Sequence, residues 1–384
     1  MPKLIVAHPH FMYPGGASTA ILETMQRLAA YGYDIHIISL RHPPGLISQF
    51  PMLEFHALGG ALSSELRYWV TVPVRQRHFS SLVDRLGPDI LLASVFPANY
   101  WAFFYRLRHS RVPCVWYCQE PSAFVHDWDV INGVPWPMRA AVLAANPVLQ
   151  VLDRWLTHAA DAIIVNSRYS ARRVRRVYRR VAVPVRLGAN AERFAPDTAK
   201  ERMVLTVARL TRFKRIDILL AAAAILKQQG YSDVRWVIAG DGEEAAALQQ
   251  RASSLALTTQ VEFVGRLPTS ALIDYYNRAT IVAVTAIGEP FGLAPVEGMA
   301  AGAAIVCSDS GGPAETVEDG VTGLHFRSGD AQDLARQVGR LLDNPIIARA
   351  MGERGRQRVA TTYTWEGTAS EVHTIVSGLL STFG

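Results

Sequence analysis

What most constrains this chain is a repeated alternation. Short runs that are apolar at nearly every position are separated by segments with helical spacing, and the pattern runs through twice. Leu4–Ala7, Ile35–Leu40, Ile90–Ala93, Cys114–Tyr117 and Ala162–Val165 carry it through the first half. A helical segment from about Ala17 to Tyr31 puts Ile21, Leu22, Met25, Leu28 and Ala29 on one face. A strand with both faces apolar must be covered on both, which calls for a parallel sheet between helices. After a turn-rich stretch at Phe194–Thr198 the pattern restarts. Val204–Ala208, Trp236–Ala239, Val261–Val264, Ile281–Val284 and Ala304–Val306 form the second series, each with a helical segment behind it. The reading is an α/β chain of two doubly wound, Rossmann-like domains. The first is expected over residues 1–195 and the second over 196–363, with a ligand in the cleft between the carboxyl ends of their sheets.

Other classes fall away. At 384 residues and 49% hydrophobic content the chain is too long and too apolar for a disordered segment or a disulfide-stapled miniprotein. No apolar run is long enough to span a bilayer; the best, Ala140 to Leu152, is broken by Asn146, Pro147 and Gln150. The apolar stretch after Lys3 is too short for a signal peptide, so a cytoplasmic location is expected. Cys114, Cys118 and Cys307 have no Cys-x-x-Cys or His-rich spacing, which argues against a zinc site or a disulfide framework.

Charge is uneven. Residues 1–190 hold 20 Lys and Arg against 11 acids, and residues 191–384 hold 19 against 22. Seven of the cations are Arg168, Arg172, Arg173, Arg175, Arg176, Arg179 and Arg180, with no acid among them. A solvated helix face, a partner-docking helix and an anionic surface all fit such a run.

Four motifs sit where strands end. Pro14-Gly15-Gly16 precedes a helix, so Gly15 and Gly16 let backbone approach a phosphate or sugar at a helix N-terminus. No P-loop lysine follows, which excludes a Walker-type ATPase. Arg209, Arg212, Lys214 and Arg215 lie in one loop after the second domain's first strand, suited to a diphosphate. Gly240-Asp-Gly-Glu-Glu-Ala245 matches G-x-G-x-x-A, but Asp241, Glu243 and Glu244 would face a pyrophosphate. A tight strand-to-helix turn, able to border a nucleotide, suits it better than a dinucleotide site. The strongest signal is Glu289-Pro-Phe-Gly-Leu-Ala-Pro-Val-Glu297. There the amides of Phe291, Gly292 and Leu293 approach a helix N-terminus between two carboxylates.

In order and spacing these motifs resemble those of the family 4 glycosyltransferases, retaining enzymes of the GT-B fold that use a nucleotide-sugar donor. Glu289 to Glu297 matches the family's E-x(7)-E, Gly15-Gly16 its glycine loop, Arg209 and Lys214 its diphosphate-binding pair, and Gly240-Asp-Gly its second-domain turn. The resemblance implies transfer of a sugar from a nucleoside-diphosphate donor to a hydroxyl of a glycan or lipid-linked saccharide. Under it, Arg209 and Lys214 stabilise the leaving diphosphate, Glu289 holds the donor sugar, Glu297 the ribose, and Phe291, Gly292 and Leu293 bind through their backbones. No metal or cofactor beyond the donor is implied, and no nucleic acid. Residues 364–384 are expected to form a helix crossing back to the first domain. Lipid-linked acceptors would also give Arg168–Arg180 a role at an anionic membrane surface. One departure stands out. Where the family often has Tyr-Cys-His-x-Pro, this chain has Tyr117-Cys118-Gln119-Glu120-Pro121, so Gln119 replaces a donor-contacting histidine, with His126 or Glu120 as substitutes. Two alternatives stay open: a soluble-acceptor enzyme of glycogen-synthase or sucrose type, and a non-catalytic subunit that binds nucleotide sugar.

Overall fold

The apolar runs become strands of two parallel sheets, each covered by helices on both faces. The computed structural model describes every residue except 13–14, 61–66, 129–130, 132–135, 137, 195–198 and 384. Pro14 of the glycine loop and residues 195–198 of the turn-rich link therefore lie outside the described residues.

Seven strands form the first sheet: β1 (Lys3–Ala7), β2 (Asp34–Ser39), β3 (Glu54–Ala57), β4 (Ile90–Ser94), β5 (Cys114–Tyr117), β6 (Ala162–Val165) and β7 (Val183–Pro184). Their order is β3-β2-β1-β4-β5-β6-β7, so the strand order reverses between β1 and β4. Register is set by pairs such as Leu4 with Ile35 on one side and with Ile90 on the other. The second sheet holds β8 (Glu201–Val207), β9 (Arg235–Ala239), β10 (Val261–Gly265), β11 (Ala279–Val284), β12 (Ala304–Ser308) and β13 (Gly323–Phe326), in the order β10-β9-β8-β11-β12-β13. Its reversal point lies between β8 and β11. Central strands such as β4 and β12 are buried at every residue. The edge strands β3, β7 and β13 escaped the sequence reading: they are two to four residues long, and β3 and β7 have no fully buried residue.

The chain divides into two compact units, Met1–Arg186 with Trp365–Gly384, and Leu187–Thr364. The division after Arg186 precedes the boundary at 195 read from the sequence. Val185 still bonds to Val165 of β6, whereas the amide of Ala189 already donates to Tyr363 O at 2.9 Å in the second unit. In the first unit the Trp365–Phe383 helix packs on the Gly16–Leu28 helix. Arg27 Nε meets Glu366 at 2.6 Å, and Thr368 Oγ1 donates to Arg186 O at 2.7 Å.

Two neighbouring helices of the first unit present unusual surfaces. The Arg168–Tyr178 helix is capped by Ser167, whose Oγ accepts from Ser170 N, and it buries Val174 and Tyr178. Arg175, Arg176 and Arg179 are exposed. Arg180, counted with the basic run in the sequence, points inward and donates to Thr157 O and Ala160 O at 2.7 Å each. Val181 leaves the apolar face because the helix has ended with Arg179 left-handed at φ 56°, and Val181 is exposed. The Met138–Leu156 helix is inverted: Asn146 and Asp153 are buried while Leu143, Val148, Val151, Leu152 and Trp155 are exposed. Arg154 Nε, donating to Val177 O at 2.9 Å, ties the two helices together.

Candidate functional site

In the second unit the site residues converge on the reversal point of the sheet, where the loops after β8 and β11 leave their strands in opposite directions. The first loop carries Arg209 and Lys214 and runs into the Ile216–Gln228 helix. The second carries Glu289 and runs into the Leu293–Ala300 helix. Lys214 Nζ meets Glu289 Oε2 at 2.5 Å, and both side chains are largely shielded. Thr285 Oγ1 holds Lys214 O at 2.8 Å, and the ammonium lies 4.8 Å from the Phe213 ring centre. Arg209 is exposed and makes no ion pair among the described residues.

Gly292 caps the second helix at φ 84°, ψ 88°, a conformation that favours glycine; an added Cβ would also lie 2.9 Å from Pro313 Cγ. The amides that follow open a helix N-terminus, where the first turn has no intrahelical acceptor. Pro295 is the third helical residue and costs nothing there for the same reason. The Phe291 ring is buried edge-on to Tyr363, so its side chain is taken up in packing. Glu297 sits one residue beyond the first turn. Its Oε2 accepts from the buried Tyr276 hydroxyl at 2.8 Å, and desolvation raises its pKa above the ordinary carboxyl value.

Gly240 has a structural account: at φ 138° an added Cβ would fall 1.8 Å from Ala208 O. The turn after β9 thus presses on the loop bearing Arg209, with Leu210 N donating to Asp241 O at 2.9 Å. A second bracing pair went unread in the sequence. Gly312 N donates to Glu289 O at 2.7 Å, and Cβ atoms on Gly311 and Gly312 would come within 2.6 Å of Glu289 O and 2.3 Å of Phe291 Cα. The Gly-Gly doublet two residues after the β12 run was the available signal.

The first unit has its own constellation at the β1/β4 reversal. Gly15 is extended, Gly16 starts the helix, both are exposed, and nothing lies within 4 Å of a Cβ built on Gly15. Gln119 is buried, and its Nε2 donates to Ala17 O at 3.0 Å. The acceptor is a carbonyl, so the amide nitrogen must face it, and Gln119 braces the first turn of the glycine-loop helix.

His126 turns away from the role proposed for it. Its Nε2 lies 2.9 Å from Asp153 Oδ2, and both side chains are buried. Asp153 also accepts from Ser122 Oγ and the Tyr178 hydroxyl at 2.8 Å each. The inversion of the Met138–Leu156 helix places that carboxylate inside, and His126 belongs to a structural clasp around it. His8, unassigned in the sequence reading, lies at the reversal point between Ser94 Oγ and Ser18 Oγ, 3.2 Å from each. Burial, with the neighbouring His10, lowers its pKa to about 3, so the ring is neutral at physiological pH.

Comparison with known proteins bears on both units. The family model "Glycosyltransferase Family 4" matches residues 14–190 and "Glycosyl transferases group 1" matches residues 190–358. A D-inositol 3-phosphate glycosyltransferase of Nocardia farcinica is 30% identical over 394 residues, covering 95% of this chain and 85% of that protein. A GDP-mannose-dependent alpha-(1-6)-phosphatidylinositol monomannoside mannosyltransferase of Mycolicibacterium smegmatis is 29% identical over 253 residues, spanning 60% of this chain and 66% of the mannosyltransferase. Among solved structures, sucrose-phosphate synthase of Thermosynechococcus elongatus has the same fold, with a TM-score of 0.84 at 22% identity over the whole of both chains.

Proposed function

The chain belongs to the family 4 glycosyltransferases, and from that premise we propose that it moves a sugar from a nucleoside-diphosphate donor to a hydroxyl of a glycan or lipid-linked saccharide, with retention at the anomeric carbon. The observation that carries this reading is the Lys214–Glu289 pair joining the two loops that leave the reversal point of the second sheet, with exposed Arg209 in the same loop as Lys214. As the bond between the anomeric carbon and the diphosphate breaks, charge develops on the leaving oxygens. Arg209, Lys214 and the amides at Gly292–Leu293 are the donors that meet it, Lys214 turning from Glu289 to do so. Once Lys214 turns to phosphate, Glu289 is released to accept hydrogen bonds from the sugar hydroxyls and hold the reacting carbon in line. Glu297, anchored by Tyr276, offers its other oxygen to a ribose hydroxyl.

Work at an anionic membrane surface is part of the proposal. It is supported by the exposed apolar face of the Met138–Leu156 helix, tied to a helix ending in exposed Arg175, Arg176 and Arg179. Trp128 and Trp136, both exposed, add rings of the kind that settle at headgroup level. No helix among the described residues is long and apolar enough to cross a membrane. The mannosyltransferase relative is named for a lipid acceptor.

A thermal-shift and hydrolysis screen against UDP-, GDP- and ADP-sugars tests the donor reading. Stabilisation and slow hydrolysis by one of them is expected; binding without turnover, with acceptors supplied, would favour the non-catalytic subunit. Co-sedimentation with neutral and anionic vesicles tests the membrane reading. Equal, weak binding to both would remove it.

A further inference from the structure

We propose that His36, Glu54 and His56 form a binding site for one zinc-class divalent cation on the β2–β3 edge of the first sheet, on residues separate from those assigned to the donor. Strand register brings them together. His36 pairs directly with Glu54, and alternation along β3 returns His56 to the face that Glu54 occupies. His36 Nδ1 lies 3.0 Å from Glu54 Oε2 and 3.0 Å from His56 Nε2, and those two atoms are 3.9 Å apart. A point equidistant from three atoms so placed is about 2.0 Å from each, the length of zinc bonds to imidazole and carboxylate. One triangular face of a zinc tetrahedron has edges of about 3.3 Å, so binding would draw His56 and Glu54 together by about 0.6 Å and part each from His36 by about 0.3 Å, shifts that rotation of the exposed Glu54 side chain and the half-buried His56 ring can supply.

Hydrogen bonding alone serves the three atoms poorly. A single proton on His36 Nδ1 is aimed at Glu54 or at His56, not fully at both. With that proton absent, the nitrogen lone pair faces a carboxylate at 3.0 Å. A cation is attracted by all three at once. The other nitrogen of His36 lies 3.2 Å from Asp34 Oδ2, off the line of a hydrogen bond, on the side where metal-bound imidazoles carry an orienting carboxylate. His36 is buried while Glu54 is exposed, so the cluster has a firm base and an entry path from solvent. Two imidazoles and one carboxylate suit zinc and leave a fourth position for water. The ion would cross-link the edge strand β3 to β2.

The test uses the full chain without a polyhistidine tag, stripped by chelator and dialysed against zinc at micromolar free concentration, with metal per chain measured. One equivalent of zinc is expected, together with the visible absorption of tetrahedral cobalt when Co²⁺ is used instead. His56→Ala and Glu54→Gln, at positions exposed enough to keep the fold, should each weaken uptake at least tenfold while melting like the parent in metal-free buffer. Absence of stoichiometric uptake by the parent, or uptake unchanged in both variants, overturns the proposal and leaves a hydrogen-bonded histidine pair.

Discussion

Replacing Glu289 by Gln should move nucleotide binding and turnover in opposite directions. The carboxylate holds Lys214 at 2.5 Å with both side chains largely shielded. The pair lies between an exposed ion pair, worth under 1 kcal/mol, and a fully buried one, so freeing the ammonium should make about 1–2 kcal/mol available to a diphosphate. The bare nucleoside diphosphate is then expected to bind roughly 5–30-fold more tightly, at 1.4 kcal/mol per tenfold. Sugar transfer should fall, because a charge-assisted bond to a sugar hydroxyl, worth about 1.5–3 kcal/mol, becomes a neutral one. The difference from a neutral bond's ~0.5–1.5 kcal/mol is about 1–1.5 kcal/mol, which corresponds to roughly 5–13-fold in kcat. Calorimetric titration of the diphosphate and steady-state transfer on the same preparation read the two effects. Lys214→Gln supplies the contrast, with both quantities lowered. If Glu289→Gln weakens diphosphate binding as much as it lowers turnover, the exchange of partners at Lys214 is refuted.

Other consequences follow from the buried groups and the glycines. The folded-state pKa of His8, about 3, lies below its ordinary 6.5, so the unfolded chain binds the extra proton and stability drops as pH falls from 6.5 toward 3. By about pH 5 the loss is about 2 kcal/mol, which urea unfolding should detect in the parent and miss in His8→Gln; equal losses in both would clear His8. Asp153→Asn leaves three donors competing for a neutral acceptor and should cost about 2–4 kcal/mol in the same assay; a loss under 0.5 kcal/mol would mean the clasp bears no load. Gly240→Ala forces Ala208 aside and should cost about 3 kcal/mol while weakening donor binding, since the displaced loop carries Arg209. Unchanged donor affinity in a folded Gly240→Ala protein would separate that turn from the site.

Much of this was legible in one dimension because it depends on near neighbours. A run as short as Leu4–Ala7, followed by a turn-rich loop and a helical segment, reads as a buried strand, and the paired series of such runs calls for two doubly wound sheets. Loops at strand ends are also local, so spacing placed the cation-rich loop 209–215 and the amides of Phe291, Gly292 and Leu293 between Glu289 and Glu297, and the family resemblance then singled out Arg209 and Lys214. The strands missed were edges, because a strand with one covered face loses the apolar continuity that announces it.

The sequence by itself determined the architecture and the chemical inventory at the reversal point of the second sheet. Tertiary structure alone decided what each group is engaged in. Gln119 reaches Ala17 across 102 residues, so a side chain read as a ligand contact also braces the glycine loop. His126 and Asp153 meet only because the Met138–Leu156 helix turns its polar residues inward and its apolar ones out. His36 and His56 share a face because parallel pairing aligns β2 with β3. The physical reason is common to all three. Strand and helix signals are written in short-range periodicity, whereas the partner of a buried polar group is set by strand order and crossover, where residues far apart in the chain become neighbours.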